Sequence, residues 1–394
     1  MAVLLLQGPL GSFYQHLASA LSQEGETVYR IVFNGGDEWF TGRAETVIRF
    51  QDQAEGWPAF LANVIQQYNI KLVLAYGDCR YYHLQAKREC QRQNVRYFAF
   101  EEGYLRPNYI TLEEGGVNGH SPITHNAIEA YQPVHTVRDE QHIPKNFLQR
   151  VYFAVVYYNF AAFKRRCFSR YIHHRSFSPI YEAGCWIRAA WRKALYKLIQ
   201  PSAKTVINSG EFFLVPLQVH NDAQIEFHSQ YTSMTAFIED VLASFAIHSP
   251  EHVQLVFKHH PMDRGHVHYG KTIKKLTKHY GLEGRVQYIH DQHLPTLLKH
   301  TLGIVTINST TALQAFYHGA PVKVMGDAYF DMPGLTDQQL LASFWKDPLP
   351  PNDVFADQFR GYLLDHGQLN GSFYCKANMT VTHIIEHLKK ANAL

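Results

Sequence analysis

Two adjacent carboxylates, Glu101 and Glu102, directly follow an apolar run and are followed at once by Gly103 and the dipeptide Arg106-Pro107. A turn that only reverses the chain needs neither two carboxylates nor a guanidinium group. Positioned carboxylates act as general acids, general bases or nucleophiles. The sequence therefore predicts that this segment forms the floor of an active site.

A third carboxylate, Asp222, follows a strand-like apolar run within residues 218–225. At a strand end its side chain is expected to face a cleft between two domains, opposite Glu101 and Glu102, where it could act as a nucleophile or a base. An aspartate at such a place equally caps a turn or a helix. Local sequence alone leaves both roles open.

An imidazole-rich turn, Lys258-His259-His260-Pro261, ends the next apolar run. Because proline holds the preceding residue extended, the His260 ring could donate to a phosphate oxygen or protonate a leaving group. No carboxylate or cysteine stands at ligand spacing, which disfavours a metal pair. A surface turn remains the alternative.

A hydroxyl-rich turn, Ser309-Thr310-Thr311, lies between a predicted strand and a predicted helix. Hydroxyls and free N–H groups at a helix N-terminus bind anions, and capping by Ser309 or Asn308 is compatible with that role. We expect this turn and His260 to follow adjacent strands of one domain. Together they predict a phosphate site.

The sequence contains no Asp-x-Asp motif. Sugar transferases often hold a divalent cation with such acids, whereas histidine, lysine and a helix dipole can stabilise a monophosphate leaving group. A CMP-type donor without a metal is therefore favoured. In the glycine-containing loops, a structural ion pair between Asp78 and Arg80 is favoured over catalysis, and residues 113–116 suggest an exposed turn.

Alternation of strand and helix patterns positions these groups. Predicted strands such as 3–6 and 71–75 alternate with helices, which implies a parallel sheet that binds ligands beyond its carboxyl ends. The alternation restarts near residue 205. Two successive halves predict an α/β, GT-B-like fold with two Rossmann-type domains and an interdomain cleft.

The sequence also predicts the boundaries of the domains and the role of each domain. Residues 1–200 form an acceptor-side domain with a basic, aromatic, helical insert at about 145–200, residues 205–350 bind the nucleotide sugar, and helices in 351–394 pack back on the first domain. The insert is either an ordinary solvated face or a surface that docks on anionic lipid.

Composition narrows the class of protein. The chain has 394 residues, 46% of them hydrophobic, and a net charge of +3, which argues against a nucleic-acid binder. Five scattered cysteines favour a reducing, cytoplasmic compartment. Neither a signal peptide nor a membrane-spanning run is predicted.

Several segments together resemble one known family. These are Phe-Asn-Gly-Gly-Asp at 33–37, Tyr-Gly-Asp-Cys-Arg at 76–80, Phe-Glu-Glu-Gly-Tyr-Leu-Arg-Pro at 100–107, Glu-Glu-Gly-Gly-Val-Asn at 113–118 and Pro-Leu-Gln-Val-His-Asn-Asp at 216–222. They are similar to the bacterial capsular polysaccharide biosynthesis proteins of the KpsS/KpsC type, which are retaining β-Kdo transferases, and most similar to the KpsS branch.

The resemblance implies transfer of Kdo from CMP-Kdo to a (lyso)phosphatidylglycerol lipid at the inner face of the cytoplasmic membrane, starting a poly-Kdo linker, with other capsule proteins as partners. It implies Asp222 as nucleophile and Glu101 or Glu102 as acid/base. The donor phosphate would be held by Lys258, His260, Pro261, Ser309, Thr310 and Thr311. Substrate contacts would come from Gly36, Asp37, Asp78, Arg80, Gly103 and Arg106.

Two alternatives stay open at this point. One is a non-catalytic lipid-docking component of a capsule export complex. The other is a transferase that uses CMP-sialic acid, because both sugars carry a carboxylate that Arg106 or Arg80 could pair with.

Overall fold

A computed structural model describes residues 1–132, 140–172 and 179–394, without the side chains of residues 179 and 180. The strands in this part of the chain are β1 Ala2–Leu5, β2 Thr27–Val32, β3 Glu45–Arg49, β4 Ile70–Tyr76, β5 Arg96–Glu102, β6 Tyr109–Glu114, β7 Phe212–Pro216, β8 Gln254–Lys258, β9 Val286–Ile289, β10 Gly303–Thr306, β11 Val322–Val324 and β12 Gln368–Asn370. The helices are α1 Phe13–Gln23, α2 Gly35–Trp39, α3 Trp57–Gln67, α4 Tyr81–Gln93, α5 His125–Glu129, α6 Phe147–Phe163, α7 Pro179–Ile199, α8 Ala203–Asn208, α9 Ala223–Phe227, α10 Met234–His248, α11 Gly270–His279, α12 Leu294–Leu298, α13 Thr311–Tyr317, α14 Leu341–Phe344, α15 Asp353–His366 and α16 Ala377–Lys390.

The described chain divides into two units, each built on its own sheet. The first unit comprises residues 1–122, 140–172 and 363–394, and the second comprises 123–132 and 179–362. The first sheet has the order β12-β6-β5-β4-β1-β2-β3 and the second has the order β11-β10-β7-β8-β9. The predicted α/β fold class is confirmed in both units.

The first sheet is covered on both faces because its central strands are apolar throughout. Val3 and Leu5 of β1 join one buried cluster, whereas Leu4 and Leu6 join another. Successive side chains of a strand point to opposite faces, so an uninterrupted apolar run indicates a strand buried on both sides. In the second unit, residues from β7, β8 and α10 share a single cluster that Trp345 completes.

The sequence misses an antiparallel hairpin in the first sheet. Strand β5 continues through Glu102 and pairs with β6, with Glu101 opposite Thr111 and Glu102 opposite Ile110. The prediction that residues 113–116 form an exposed turn is wrong for Glu113, which lies in β6 and is 4% exposed. Ile110 and Leu112 join a core cluster on one face of β6, and Thr111 and Glu113, on the other face, are buried as well.

The segments around the predicted domain boundaries are divided between the units. Helix α6 belongs to the first unit and α7 to the second, where the tilted rings of Tyr196 and His290 have centres 4.0 Å apart. Residues 173–178 of the predicted insert lie outside the described residues. Of the predicted tail, 351–362 belongs to the second unit, whereas β12 pairs with β6 and α16 packs on the first sheet through Ile384 and Leu388.

Candidate functional site

The parallel strands of the first sheet end at one edge, here called the first carboxyl edge, where Gln7 organises a buried polar network. Its amide nitrogen donates to both oxygens of Asp37 at 3.3 Å, and its carbonyl oxygen accepts from Arg80 Nη1 at 2.9 Å. The Tyr157 hydroxyl donates to Asp37 Oδ1 at 2.8 Å. Asp37 is 2% exposed, and burial raises its pKa despite these bonds. The carboxylate of Asp37, which was predicted to contact the substrate, is therefore already hydrogen-bonded to groups of the protein.

Helix α2 explains why glycine precedes Asp37. The Asn34 side chain caps α2 by accepting from the N–H groups of Gly36 and Asp37 at 2.8 and 3.0 Å. A Cβ on Gly36 would lie 2.6 Å from the Tyr157 carbonyl oxygen. Gly36 is thus required for the close approach of α6, which is a packing role.

Glu101 is half-buried at the end of β5. Its carboxylate accepts from the Glu102 N–H at 2.9 Å and from Asn118 Nδ2 at 3.4 Å. Burial raises the pKa of Glu101 to about 7. A carboxyl group that populates both protonation states at neutral pH suits general acid-base chemistry.

Glu102 lies on the other side of the strand and has a cationic partner. Arg150 of α6 donates to its Oε1 at 2.9 Å, and the guanidinium lies 4.6 Å from the centre of the Tyr374 ring. The pair is partly exposed. The two neighbouring glutamates therefore differ in environment: Glu101 is held by neutral donors and Glu102 by a charge.

Gly103 and Arg106 form the turn that follows. A Cβ on Gly103 would lie 2.1 Å from the Tyr109 carbonyl oxygen, so the hairpin requires glycine here. The exposed Arg106 donates through Nε to the Gly103 carbonyl at 3.1 Å. Its guanidinium is at the surface of the unit, as a contact to an anionic substrate requires.

Asp78 is paired differently from the prediction. It accepts from the Val117 N–H and from His120 Nδ1, each at 3.0 Å, while Arg80 is bound to Gln7. Burial opposes its charge, but these hydrogen bonds lower its pKa. The predicted ion pair with Arg80 is therefore wrong, because His120 is better placed.

In the second unit, Asp222 is the N-cap of α9 and is half-buried. Its Oδ1 accepts from the Gln224 N–H at 3.0 Å, and its Oδ2 accepts from Gln218 Nε2 at 3.3 Å. The capping role is thus confirmed. A nucleophilic role stays a prediction, and capping is compatible with it.

Gln218 links the Asp222 loop to the hydroxyl-rich turn. Its amide nitrogen donates to Asn308 Oδ1 at 2.9 Å, and its carbonyl oxygen accepts from the Asn308 N–H at 3.2 Å. The two turns thus lie at one edge of the second sheet, here called the second carboxyl edge. The expected adjacency of strands β8 and β10 is wrong, because β7 lies between them.

The imidazole-rich turn divides between core and surface. Lys258 is 8% exposed and its ammonium donates to the His290 carbonyl at 2.9 Å, while His259 is bonded to the Tyr288 hydroxyl at 2.7 Å. Burial lowers the pKa of both, that of His259 to about 3. Only His260 is half-buried, followed by the exposed Pro261. Of the two predicted phosphate ligands here that have a polar side chain, Lys258 and His260, the structure leaves His260 nearer to solvent.

The hydroxyl-rich turn caps its own helix. Ser309 Oγ accepts from the Thr311 N–H at 3.2 Å and lies 3.1 Å from Thr311 Oγ1. Ser309, Thr310 and Thr311 are all half-buried. Their hydroxyls stand at the second carboxyl edge beside Asn308, which is bound to Gln218.

A model of the family described as capsule polysaccharide biosynthesis protein matches residues 71–374. The chain belongs to this family. It is 42% identical over 376 residues to the capsule polysaccharide export protein KpsS of Escherichia coli, covering 94% of this chain and 96% of that protein. It is 40% identical over 383 residues to the capsule polysaccharide modification protein LipB of Neisseria meningitidis, covering 94% and 91%. The predicted resemblance is confirmed.

Among solved structures, this capsule-family chain is similar to the β-Kdo 2,7 transferase of Thermosulfurimonas dismutans KpsC. The two are 15% identical over 100% of both chains, with a TM-score of 0.47. Within the described residues, the capsule-family chain has no helix with the length and apolar character needed to cross a membrane.

Sequence reasoning missed several groups of this capsule-family chain. Tyr104 donates to Glu113 at 3.1 Å and accepts from the Asn118 N–H at 2.7 Å, and burial raises the pKa of Glu113 to about 7. In the second unit, the backbone N–H of His220 donates to a carboxylate oxygen of Asp263 at 2.7 Å, and Asp263 is 1% exposed. No local pattern indicates that Glu113 is buried, because alternation with Ile110 and Leu112 in the core places Glu113 on the opposite face of β6.

Proposed function

We propose that this capsule-family protein is a retaining glycosyltransferase. It would move Kdo from CMP-Kdo to a (lyso)phosphatidylglycerol acceptor at the inner face of the cytoplasmic membrane and so start the poly-Kdo linker of a capsule. The observation that carries this proposal is the Gln218 network, which holds a carboxylate, Asp222, and a hydroxyl-rich turn at one sheet edge. A nucleophile and an anion-binding turn are what a double displacement on a nucleotide sugar needs.

In the first step, Asp222 attacks the anomeric carbon of Kdo. The bond to the CMP phosphate breaks and its electron pair leaves with CMP, so that a Kdo ester forms on the aspartate. His260 and the Ser309–Thr311 turn stabilise the charge that develops on the departing phosphate. The Nδ1 atom of His260 accepts from the Met262 N–H at 3.2 Å, which assigns the proton of the neutral ring to Nε2.

In the second step, Glu101 or Glu102 takes a proton from the acceptor hydroxyl. The acceptor oxygen then displaces Asp222 from the anomeric carbon. Two inversions at one carbon give net retention, by analogy with retaining glycosidases. The pKa of about 7 supports Glu101 as the residue that exchanges this proton, while its neighbour Glu102 keeps its ion pair with Arg150.

The decisive experiment combines trapping with product analysis. Incubation with CMP-Kdo and a lyso-phosphatidylglycerol acceptor is expected to yield a retained glycoside, and mass spectrometry without the acceptor is expected to find Kdo on Asp222. Absence of the adduct together with full activity of Asp222→Ala would overturn the mechanism. No metal is needed on this account, so turnover is expected to be undiminished by EDTA.

The name of the E. coli relative, an export protein, favours a second function. In that case the two units would form a scaffold that docks on lipid without catalysis. Isothermal titration with CMP separates the proposals. A transferase is expected to bind CMP, and His260→Ala is expected to weaken that binding, whereas a scaffold would bind no CMP. A donor panel with CMP-sialic acid tests the choice of sugar.

A further inference from the structure

Helix α6 exposes an apolar stripe on the face that points to solvent. Leu148, Tyr152, Val155 and Phe163 are 81%, 63%, 55% and 82% exposed. Their spacing places them on one side of the helix, over about four turns. The outer face of a helix on a soluble domain is normally polar, so this stripe needs an explanation.

The opposite face of α6 is firmly packed, so the exposure does not result from a loosely attached helix. Phe160 stacks on Trp39 with ring centres 3.5 Å apart, and Tyr157 is buried against Asp37 and Gly36. Lys164, just after the helix, donates to Glu38 at 2.9 Å. At the other end Asn146 donates to Ser372 at 3.0 Å, so both ends of α6 are fixed and the apolar stripe has a fixed direction.

A basic turn continues the stripe. Lys164 and Arg170 are paired with Glu38 and Asp52, but within the described residues the side chains of Arg165 and Arg166 have no hydrogen bond or ion pair. Both are exposed. Together with Phe163, Ala162 and Ser169 they line a depression of about 600 Å³. Guanidinium groups beside an apolar side chain match a phosphate joined to an acyl chain.

We propose that the apolar stripe and Arg165-Arg166 form one surface, the α6 face, which docks on anionic phospholipid membranes. The apolar residues enter the acyl boundary and the arginines bind headgroup phosphates. The helix would lie along the membrane surface, because its opposite face is packed on the first unit. This inference rests on the proposed function in one respect only, namely that the lipid acceptor of the transferase would be reached at the α6 face.

The same helix also contacts the proposed acceptor side of the first unit. Arg150, two residues after the stripe residue Leu148 and on the other side of the helix, donates to Glu102 at 2.9 Å. A membrane bound by the α6 face would therefore be coupled through one rigid helix to the glutamate pair. Lipid docking would bring the headgroup hydroxyl to the edge where a base is needed.

The test is co-sedimentation of the full chain with phosphatidylcholine vesicles that contain or lack phosphatidylglycerol. Arg165→Gln/Arg166→Gln is expected to weaken binding to the anionic vesicles roughly 10- to 30-fold. Leu148→Ser/Phe163→Ser is expected to weaken binding to both vesicles. Matched controls are Arg170→Gln, which removes a paired arginine, and Ile247→Ser, which removes an apolar residue of the second unit that is 76% exposed. Both controls are expected to bind like the wild type.

Turnover of a short-chain, water-soluble phosphatidylglycerol with CMP-Kdo separates docking from catalysis. Variants of the α6 face that lose vesicle binding but keep this turnover and the wild-type melting temperature support the proposal. Equal vesicle binding by wild type and variants overturns it, as does a dimer that Leu148→Ser dissociates without any loss of vesicle binding. If neither the wild type nor any variant shows this turnover while vesicle binding still depends on the α6 face, the proposed function is wrong and the docking surface is supported.

Discussion

The two units differ in their buried acids and agree in their buried histidines. In the first unit burial raises the pKa of Glu101 and Glu113 to about 7 and also raises that of Asp37. Burial lowers the pKa of His259 and His290 in the second unit to about 3, as it does that of His83 in the first. One physical cause acts in both places, because desolvation disfavours the charged form of any group. Both units therefore keep buried imidazoles neutral, but among the described residues the acids whose pKa burial raises lie in the first unit.

This difference indicates which groups remain available for charged chemistry. At the second carboxyl edge, His260 and Asp222 are half-buried, whereas Lys258 and His259 are turned into the core. At the first carboxyl edge, Glu102 stays partly exposed beside Arg150. A proton-exchanging edge and an anion-binding edge are the two halves of the proposed reaction, and each can be tested separately.

The largest effect is expected at Asp222. Asp222→Asn keeps a side-chain oxygen that can cap α9 but removes the nucleophile, so transfer is expected to fall by about 10³-fold or more. Initial rates with CMP-Kdo measure this, and a wild-type melting temperature shows that the cap is retained. If Asp222→Asn remains active while Asp222→Ala unfolds, Asp222 is only a helix cap, and the second carboxyl edge does not supply the nucleophile.

The next effect concerns the proton-exchanging edge. If Glu101 is the base, kcat/KM rises with pH through about 7, since the group must be ionised to accept the proton. Glu101→Gln is expected to lower transfer by roughly 10²- to 10⁴-fold and to abolish this rise of kcat/KM with pH. The matched variant Glu102→Gln is expected to keep the rise. The reverse result would assign the base to Glu102.

A smaller effect tests the anion-binding edge. His260→Ala is expected to weaken CMP binding by roughly 10-fold, the usual loss for one hydrogen bond to a charged group. Titration calorimetry measures it. The control His252→Ala removes an exposed imidazole that pairs with Glu211 and should leave CMP affinity unchanged. Equal losses in both variants would mean that His260 is not a specific ligand.

The sequence predicted all five strands of the second sheet but only four of the seven in the first, β1, β2, β4 and β5, whose apolar signals are strong and local. Runs such as Val3–Leu6 and residues 212–217 coincide with strands to within one or two residues. The order of β8 and β10 around β7 could not be predicted, since a crossover connection does not reveal which strand it skips.

The site was predicted in residue types but not in orientation. A period of two along β8 places His259 with the core residue Phe257, and that argument would have turned His259 inward. By contrast, no local pattern connects Tyr157 with Asp37, which lie 120 residues apart in the chain, or Arg150 with Glu102. These contacts depend on the packing of α6, which a pattern of helical residues does not determine.

The smallest effect tests whether burial alone explains the raised pKa values of the first unit. Because the folded-state pKa of Glu113 is above its unfolded value of about 4.5, its stabilising contribution is complete below pH 4.5 and is lost as pH rises through about 7. Glu113→Gln is isosteric and cannot ionise, so it should raise the free energy of unfolding by about 1–2 kcal/mol at pH 8 and change it little at pH 5. Urea unfolding at both values measures this. Glu114→Gln, at the next position but exposed and paired with Arg96, should show no such pH dependence. Equal behaviour of the two variants would mean that Glu113 is solvated as well as Glu114, and the contrast between the units would then rest on Glu101 and Asp37.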